Sequence, residues 1–313
     1  MASSAGSSQA PAGNRAYLAG ALCAVFGVLG FSFKAILVKL AYRSAPVDPT
    51  TLLALRMLYS APLFAAMAWW AGRRGGAVAF HTRDWLALAA LGFIGYYLSS
   101  LLDFIGLQYI TASLERLILF LYPTIVVALS AMFLGRPVTR TAIGAIVLCY
   151  GGIALAFWKD LAVAGDPHAT TVGSLLVFAS AFTYAVYLVS ASRMIARMGS
   201  LRFVAWAMLV STVFILGQFA FTRPLSALAV PRAIHVISIA MAVFSTVLPT
   251  YLVAESIRRL GANSASLVGS LGPVFTIALG ALILGERIGS LQLLGAALVL
   301  GGVALVTLKP RRT

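Results

Sequence analysis

From end to end, the chain is a succession of apolar runs of about twenty residues, each long enough for one helix to cross a bilayer's hydrocarbon core. They fall at 17–40, 51–71, 85–106, 112–134, 141–158, 172–196, 203–221, 235–257, 264–284 and 290–308. The links between them carry turn or charge signals, such as Ala45-Pro46-Val47-Asp48-Pro49 and Gly72-Arg73-Arg74-Gly75-Gly76. Such runs cannot be folded into a soluble domain. Only 10% of the 313 residues are charged and 61% are hydrophobic, whereas roughly a quarter of an ordinary soluble domain is charged. The expected class is an all-α integral membrane protein with ten transmembrane helices. Nine is the competing count, because segments eight and nine are the least cleanly separated.

The direction of each segment follows from lysine and arginine, which accumulate on the cytoplasmic side. With the N-terminus inside, the inner regions hold Arg15, Arg73, Arg74, Arg83, Arg136, Arg140, Arg193, Arg197, Arg202, Arg258, Arg259 and the C-terminal Lys309, Arg311 and Arg312. The outer loops hold Arg43, Lys159, Arg223, Arg232 and Arg287, with Lys39 at the edge. Both termini are therefore expected in the cytoplasm. Trp69, Trp70, Trp85 and Trp158 stand at segment ends, where an amphipathic ring prefers the interface. Residues 1–15, rich in Ser, Ala and Gly, read as a disordered cytoplasmic tail, and 309–313 as a second, short one.

Shifted by about 150 residues, the chain resembles itself. Leu121-Tyr122-Pro123-Thr124-Ile125 lies over Leu271-Gly272-Pro273-Val274-Phe275, and Ala131-Met132-Phe133-Leu134-Gly135 over Ala281-Leu282-Ile283-Leu284-Gly285. The repeats are 16–158 and 171–308. Each has five crossings, an odd number, so the second enters the membrane inverted. Two inverted five-helix repeats are a recurring design of secondary transporters, with the substrate site near mid-membrane between them. Pro123 and Pro273 fall at mid-membrane in segments four and nine. With Gly269 and Gly272 they predict hinges, since a proline removes one backbone hydrogen bond and strains the preceding turn. The pairs Gly144/Gly151 and Gly295/Gly302 predict close helix packing.

Charges at bilayer depth are costly and face protein, a partner or water. Lys34, Arg56, Asp103, Glu115 and Arg116 all lie in the outer part of the first half. Asp103 and Glu115 are expected to pair with some of these cations, as a gate, a substrate contact or a structural network. Glu255 is the second half's intramembrane acid, a proton carrier or a local partner of Arg258 or Arg259. Tyr96, Tyr97, Tyr122, Tyr184, Tyr187 and Tyr251 complete the candidate cavity list, because a phenol can stack and still donate a hydrogen bond.

The stretch from Gly261 to Leu305 closely resembles the second repeat of EamA-type members of the drug/metabolite transporter superfamily. Ser180-Ala181-Phe182-Thr183-Tyr184-Ala185-Val186-Tyr187 resembles that repeat's start, and Leu53-Ala54-Leu55-Arg56 and Thr111 to Leu134 resemble the first repeat. The resemblance implies a ten-helix fold in a cell membrane of the bacterial inner-membrane type. It also implies efflux or exchange of small metabolites such as amino acids, nucleobases or related compounds. One departure is Arg136, which stands where an acidic residue is expected; Glu286 keeps the acid in the second repeat.

Other functions find less support. His81, His168 and His235 are dispersed, so a membrane-embedded enzyme lacks a nucleophile–base arrangement. A channel-like pore lacks a repeated filter, and no glycine-rich phosphate loop is present. The net charge of +15 is spread over short loops, which suits anionic lipid better than nucleic acid. The expected partners are a small-molecule substrate, the lipid bilayer and, as a candidate coupling ion, protons. No cofactor or metal is expected, and monomer and homodimer both stay open.

Overall fold

The computed structural model describes residues 14–74, 81–135, 139–163, 165–260, 265 and 268–307. Both predicted tails lie outside these residues, apart from the start of the first helix. Regular structure among the described residues is helical throughout. We number the helices α1 (Asn14–Ser44), α2 (Pro49–Arg74), α3 (Thr82–Gly106), α4a (Ala112–Leu119), α4b (Tyr122–Leu134), α5 (Arg140–Val163), α6 (Pro167–Met198), α7 (Ser200–Thr222), α8 (Arg232–Leu260), α9 (Gly272–Leu284) and α10 (Ser290–Thr307). Eight spans, with α4a and α4b taken together, are long and apolar enough to cross a membrane; α9 and α10 are shorter apolar helices. Most helices outrun their apolar stretch, because backbone hydrogen bonding continues into the polar ends.

The two halves carry the same irregularities 150 residues apart. A π-helical turn interrupts α3 at Phe93–Leu98 and α8 at Val243–Val247. A two-residue turn at 120–121 separates α4a from α4b, and another at 270–271 precedes α9. Pro123 and Pro273 therefore do not kink continuous helices. Each sits in the first turn of a new helix, where its missing N–H would have had no partner and its fixed φ suits the start. Gly135 and Gly285 end the matching helices at φ 62° and 68°, left-handed conformations that a side chain would resist.

Side-chain contacts fix the relative sense of the halves. Glu286, two residues past α9, accepts hydrogen bonds from Ala112 N (2.8 Å), Ser113 N (3.2 Å) and Ser113 Oγ (2.6 Å) at the start of α4a. The equivalent helix end of the first half, capped by Gly135 after α4b, lies at the other end of that span, where Gly285 caps α9. Equivalent positions thus occupy opposite ends, as inverted repeats require. We call these the Glu286 end and the Glu255 end.

The halves interlock. α1 packs on α8 and α9, α6 on α3, α4a and α4b, α2 on α7, and α5 on α10. Where α5 meets α10, a Cβ on Gly152 would strike the Gly295 carbonyl, and a Cβ on Gly295 the Gly152 carbonyl. Gly302 packs equally tightly on Ala145 and Cys149. Gly144 and Gly151 face open space instead, so the close-packing glycine of α5 is Gly152, one position on from the expected pair. Such contacts hold membrane helices together where apolar burial gives no drive between helix and lipid.

Candidate functional site

A cavity of about 440 Å³ lies between the halves, walled by α1, α2, α3 and the α4 helices on one side and by α6, α7 and α8 on the other. All four backbone irregularities open onto it. Tyr96 and Ser245–Thr246 belong to the π-helical turns, Phe120 and Tyr122 flank the α4 break, and Gly269 precedes the break at α9. Irregular backbone at membrane depth is tolerated where it lines a cavity, because freed carbonyls find partners there. Met241 illustrates this: its carbonyl accepts the hydroxyls of Ser245 (2.9 Å) and Thr246 (2.8 Å).

Among the described residues, the charged side chains of the lining all come from the first half: Lys34, Arg56, Asp103 and Arg116. Lys34 Nζ, on α1, lies 2.6 Å from Asp103 Oδ2 on α3 and 3.1 Å from Glu115 Oε1 on α4a. Glu115 stands directly behind the wall. Both acids are buried, Asp103 at 2% exposure and Glu115 at 0%. One ammonium thus serves two carboxylates, leaving Asp103 Oδ1 and Glu115 Oε2 without hydrogen-bond partners. Arg56, only 5% exposed, stacks 5.0 Å from the Phe104 ring centre and donates to Ser100 Oγ at 3.3 Å. Arg116 lies flat against α9, where a Cβ on Gly272 would come within 2.7 Å of its Nη2. The Gly272 carbonyl also accepts Ser32 Oγ at 3.1 Å, so α1, α4a and α9 meet at this glycine.

Tyr122 and Tyr184 line the cavity edge-to-face, with ring centres 5.4 Å apart. Tyr187 lies just outside the lining, stacked on Tyr184 at 5.6 Å. Its hydroxyl bonds that of Tyr96 at 3.0 Å. The Tyr187 ring presses against Gly95, whose missing side chain makes the approach possible.

Three expected residues are placed elsewhere. Tyr97 is turned away, packed with Phe93 and Phe214 (4.9 and 6.0 Å), while its neighbour Tyr96 faces the cavity. Tyr251 packs edge-on against Trp70 at 6.2 Å. Glu255 is held by Arg258 (2.5 and 2.7 Å) and Arg259 (2.6 Å) on its own helix.

At the Glu286 end the cavity is closed by bonds that run between the halves. Besides the Glu286 contacts, Arg43 donates to Leu284 O (2.6 Å), Lys159 to Arg287 O (2.8 Å), and Arg223 pairs with Asp48 (3.2 Å). Within the first half, Lys39 caps α3 through Leu107 O (3.0 Å) and Ile110 O (2.9 Å), and Thr111 bonds Asp160. Burial pushes the Asp48 carboxyl up, but hydrogen bonds from Thr51 and Arg223 hold it, on balance, below its ordinary value. At the Glu255 end the cavity's rim is Ser200 and Ile257, both exposed. The salt bridge Asp84–Arg197 crosses between the halves there, with Arg197 half exposed. Glu286 is the residue whose role the sequence hid. Its signal was the Gly-acid pair after α9, which Gly135-Arg136 lacks.

The sequence pattern of the EamA-like transporter family matches residues 18–158 and 171–308. The chain is 30% identical to the uncharacterized transporter YcbK of Bacillus subtilis (strain 168), over 92% of this chain and 91% of that protein. It is 28% identical to a probable terminal-alkyne amino-acid exporter of Streptantibioticus cattleyicolor, over 74% and 75% of the two chains. A solved crystal structure superposes with a TM-score of 0.66 at 20% identity, over 94% of this chain and 98% of that one, and shares its fold.

Proposed function

The chain belongs to the EamA-like transporter family and is a multi-pass membrane transporter; from that premise we propose that it moves small organic metabolites through the cavity between its halves by alternating access. The observation that carries this reading is the convergence of four symmetry-related backbone irregularities on one cavity that is closed at the Glu286 end and rimmed by exposed residues at the other. Two inverted halves can exchange conformations, and that exchange opens the same site to the opposite side.

On this reading α9, extended by the residues before it, and α10 complete ten spans. The lysine and arginine bias makes the Glu286 end the outer one, so both termini are cytoplasmic and the conformation seen here faces inward. Efflux or exchange across a bacterial inner membrane is the proposed direction. The amino-acid substrate named for the Streptantibioticus cattleyicolor relative supports a metabolite of that size. Asp103 and Glu115, sharing one lysine, are the proposed proton carriers if transport is proton-coupled; Glu255 is already neutralised on its own helix.

Counterflow in proteoliposomes tests the reading. Saturable uptake of a labelled metabolite, driven by the same unlabelled compound inside, is expected for at least one member of an amino-acid and nucleobase panel. Conductance at channel rates, without counterflow, would overturn it.

A further inference from the structure

The cations of the cavity are not equally partnered. Asp103 and Glu115 both lie against Lys34. Among the described residues no carboxylate lies within salt-bridge distance of Arg56 or Arg116, although both line the cavity. The protein's hydrogen bonds there are also few. Arg56, nine-tenths buried and more, has a long hydrogen bond to Ser100, a contact with Met57 Sδ at 3.6 Å and the face of Phe104, and its Nε has no partner. Arg116 Nε likewise has none. A buried guanidinium without an anion is costly to keep in a cavity that is otherwise tyrosine, hydroxyl and apolar wall.

We infer that the cavity binds a small organic monocarboxylate, whose carboxylate is held by Arg56 and Arg116 and whose apolar or aromatic body lies against Tyr122 and Tyr184. This rests on the transporter reading and names the substrate class of that same site. Guanidinium groups match a carboxylate because their planar N–H forks can donate two parallel bonds. The tyrosine rings offer edges and faces for a flat substituent, and about 440 Å³ holds a ligand of metabolite size. Lys34 is not part of the anchor. Its role is to keep Asp103 and Glu115 from competing for the arginines.

Equilibrium binding of radiolabelled phenylacetate to the detergent-purified full chain tests this, with phenylacetamide as the neutral isostere in competition. Phenylacetate should bind at millimolar concentration or better, and displace the label roughly tenfold to a hundredfold better than phenylacetamide. Arg56→Gln and Arg116→Gln should each weaken binding at least about tenfold. If a glutamine variant does not fold, judged by its melting and gel filtration, Arg56→Lys and Arg116→Lys keep the charge without the fork and should bind at intermediate strength. Equal competition by the amide, no displaceable phenylacetate binding, or folded variants that bind like the parent would each overturn the inference. Counterflow separates the two claims. If another solute exchanges but phenylacetate neither binds nor exchanges, the carboxylate site falls and the transporter stands; if phenylacetate binds and nothing exchanges, the transporter falls and the site stands.

Discussion

The two halves share a backbone plan and divide the chemistry unequally. Shift each charged residue of the cavity by 150 positions and the second half offers Tyr184 for Lys34, Trp206 for Arg56, Val253 for Asp103, Ala265 for Glu115 and Ser266 for Arg116. The first half is an ionic wall and the second a neutral one of hydroxyls and rings. The ends differ in the same spirit, since Glu286 bridges the halves at one end whereas its counterpart is Arg136. Symmetry in the backbone supplies two interchangeable packings. Asymmetry in the side chains supplies one site and one preferred closure.

The largest break in this comparison should come from Lys34→Ala, which leaves Asp103 and Glu115 buried without their cation. Losing one partner of a buried ion pair costs about 3–5 kcal/mol, so yield and melting temperature in detergent should both collapse. The mirrored change, Tyr184→Phe, should cost about 1 kcal/mol or less. Equal melting of the two variants would remove the distinction between the walls.

Glu286→Ala should come next, because charge-assisted hydrogen bonds contribute about 1.5–3 kcal/mol each. In a background lacking Cys23 and Cys149, a cysteine placed at Ser100 should become reactive to impermeant thiol reagents from the Glu286 end. Unchanged reactivity would mean that the remaining cross-half bonds hold the closure by themselves.

A smaller effect separates two neighbouring glycines. Gly272→Ala should displace Arg116 and lower stability by about 1–3 kcal/mol, the usual range for overpacking. Gly269→Ala, with nothing within 4 Å of the added carbon, should pass nearly unnoticed in the same melting assay. The smallest expected effect is the pH response of Asp48. Its folded pKa lies below the ordinary 3.8, so its stabilising contribution is present above that value and lost as pH falls through the lowered one. Asp48→Asn should flatten the melting temperature in that acid window alone.

Eight of the ten apolar runs were legible as spans, because a bilayer imposes a length and each of those runs reported it. The opposite sense of the halves was expected from an odd number of crossings, and the Glu286 contacts at the start of α4a are what place equivalent helix ends at opposite ends. The π-helical turns were not, since one extra residue in a turn leaves an apolar stretch apolar. Tyr96 and Tyr97 were both expected at the cavity, and of the two Tyr96 lines it. The prolines gave the right places with the wrong geometry, because sequence alone cannot separate a kinked helix from one that restarts. Lys34, Asp103 and Glu115 were visible as charges at depth. That one lysine would serve both acids depends on how α1, α3 and α4a pack, which no local pattern encodes.

Gly152 and Gly295 press on each other's carbonyls, so the two positions guard a single gap from both sides. A methyl group at either one must force α5 and α10 apart, and once they part the second methyl has room. The two substitutions should therefore be strongly non-additive, with the double alanine variant melting close to the worse of the single ones. Mutationally, that pair behaves as one residue shared between two halves of one chain.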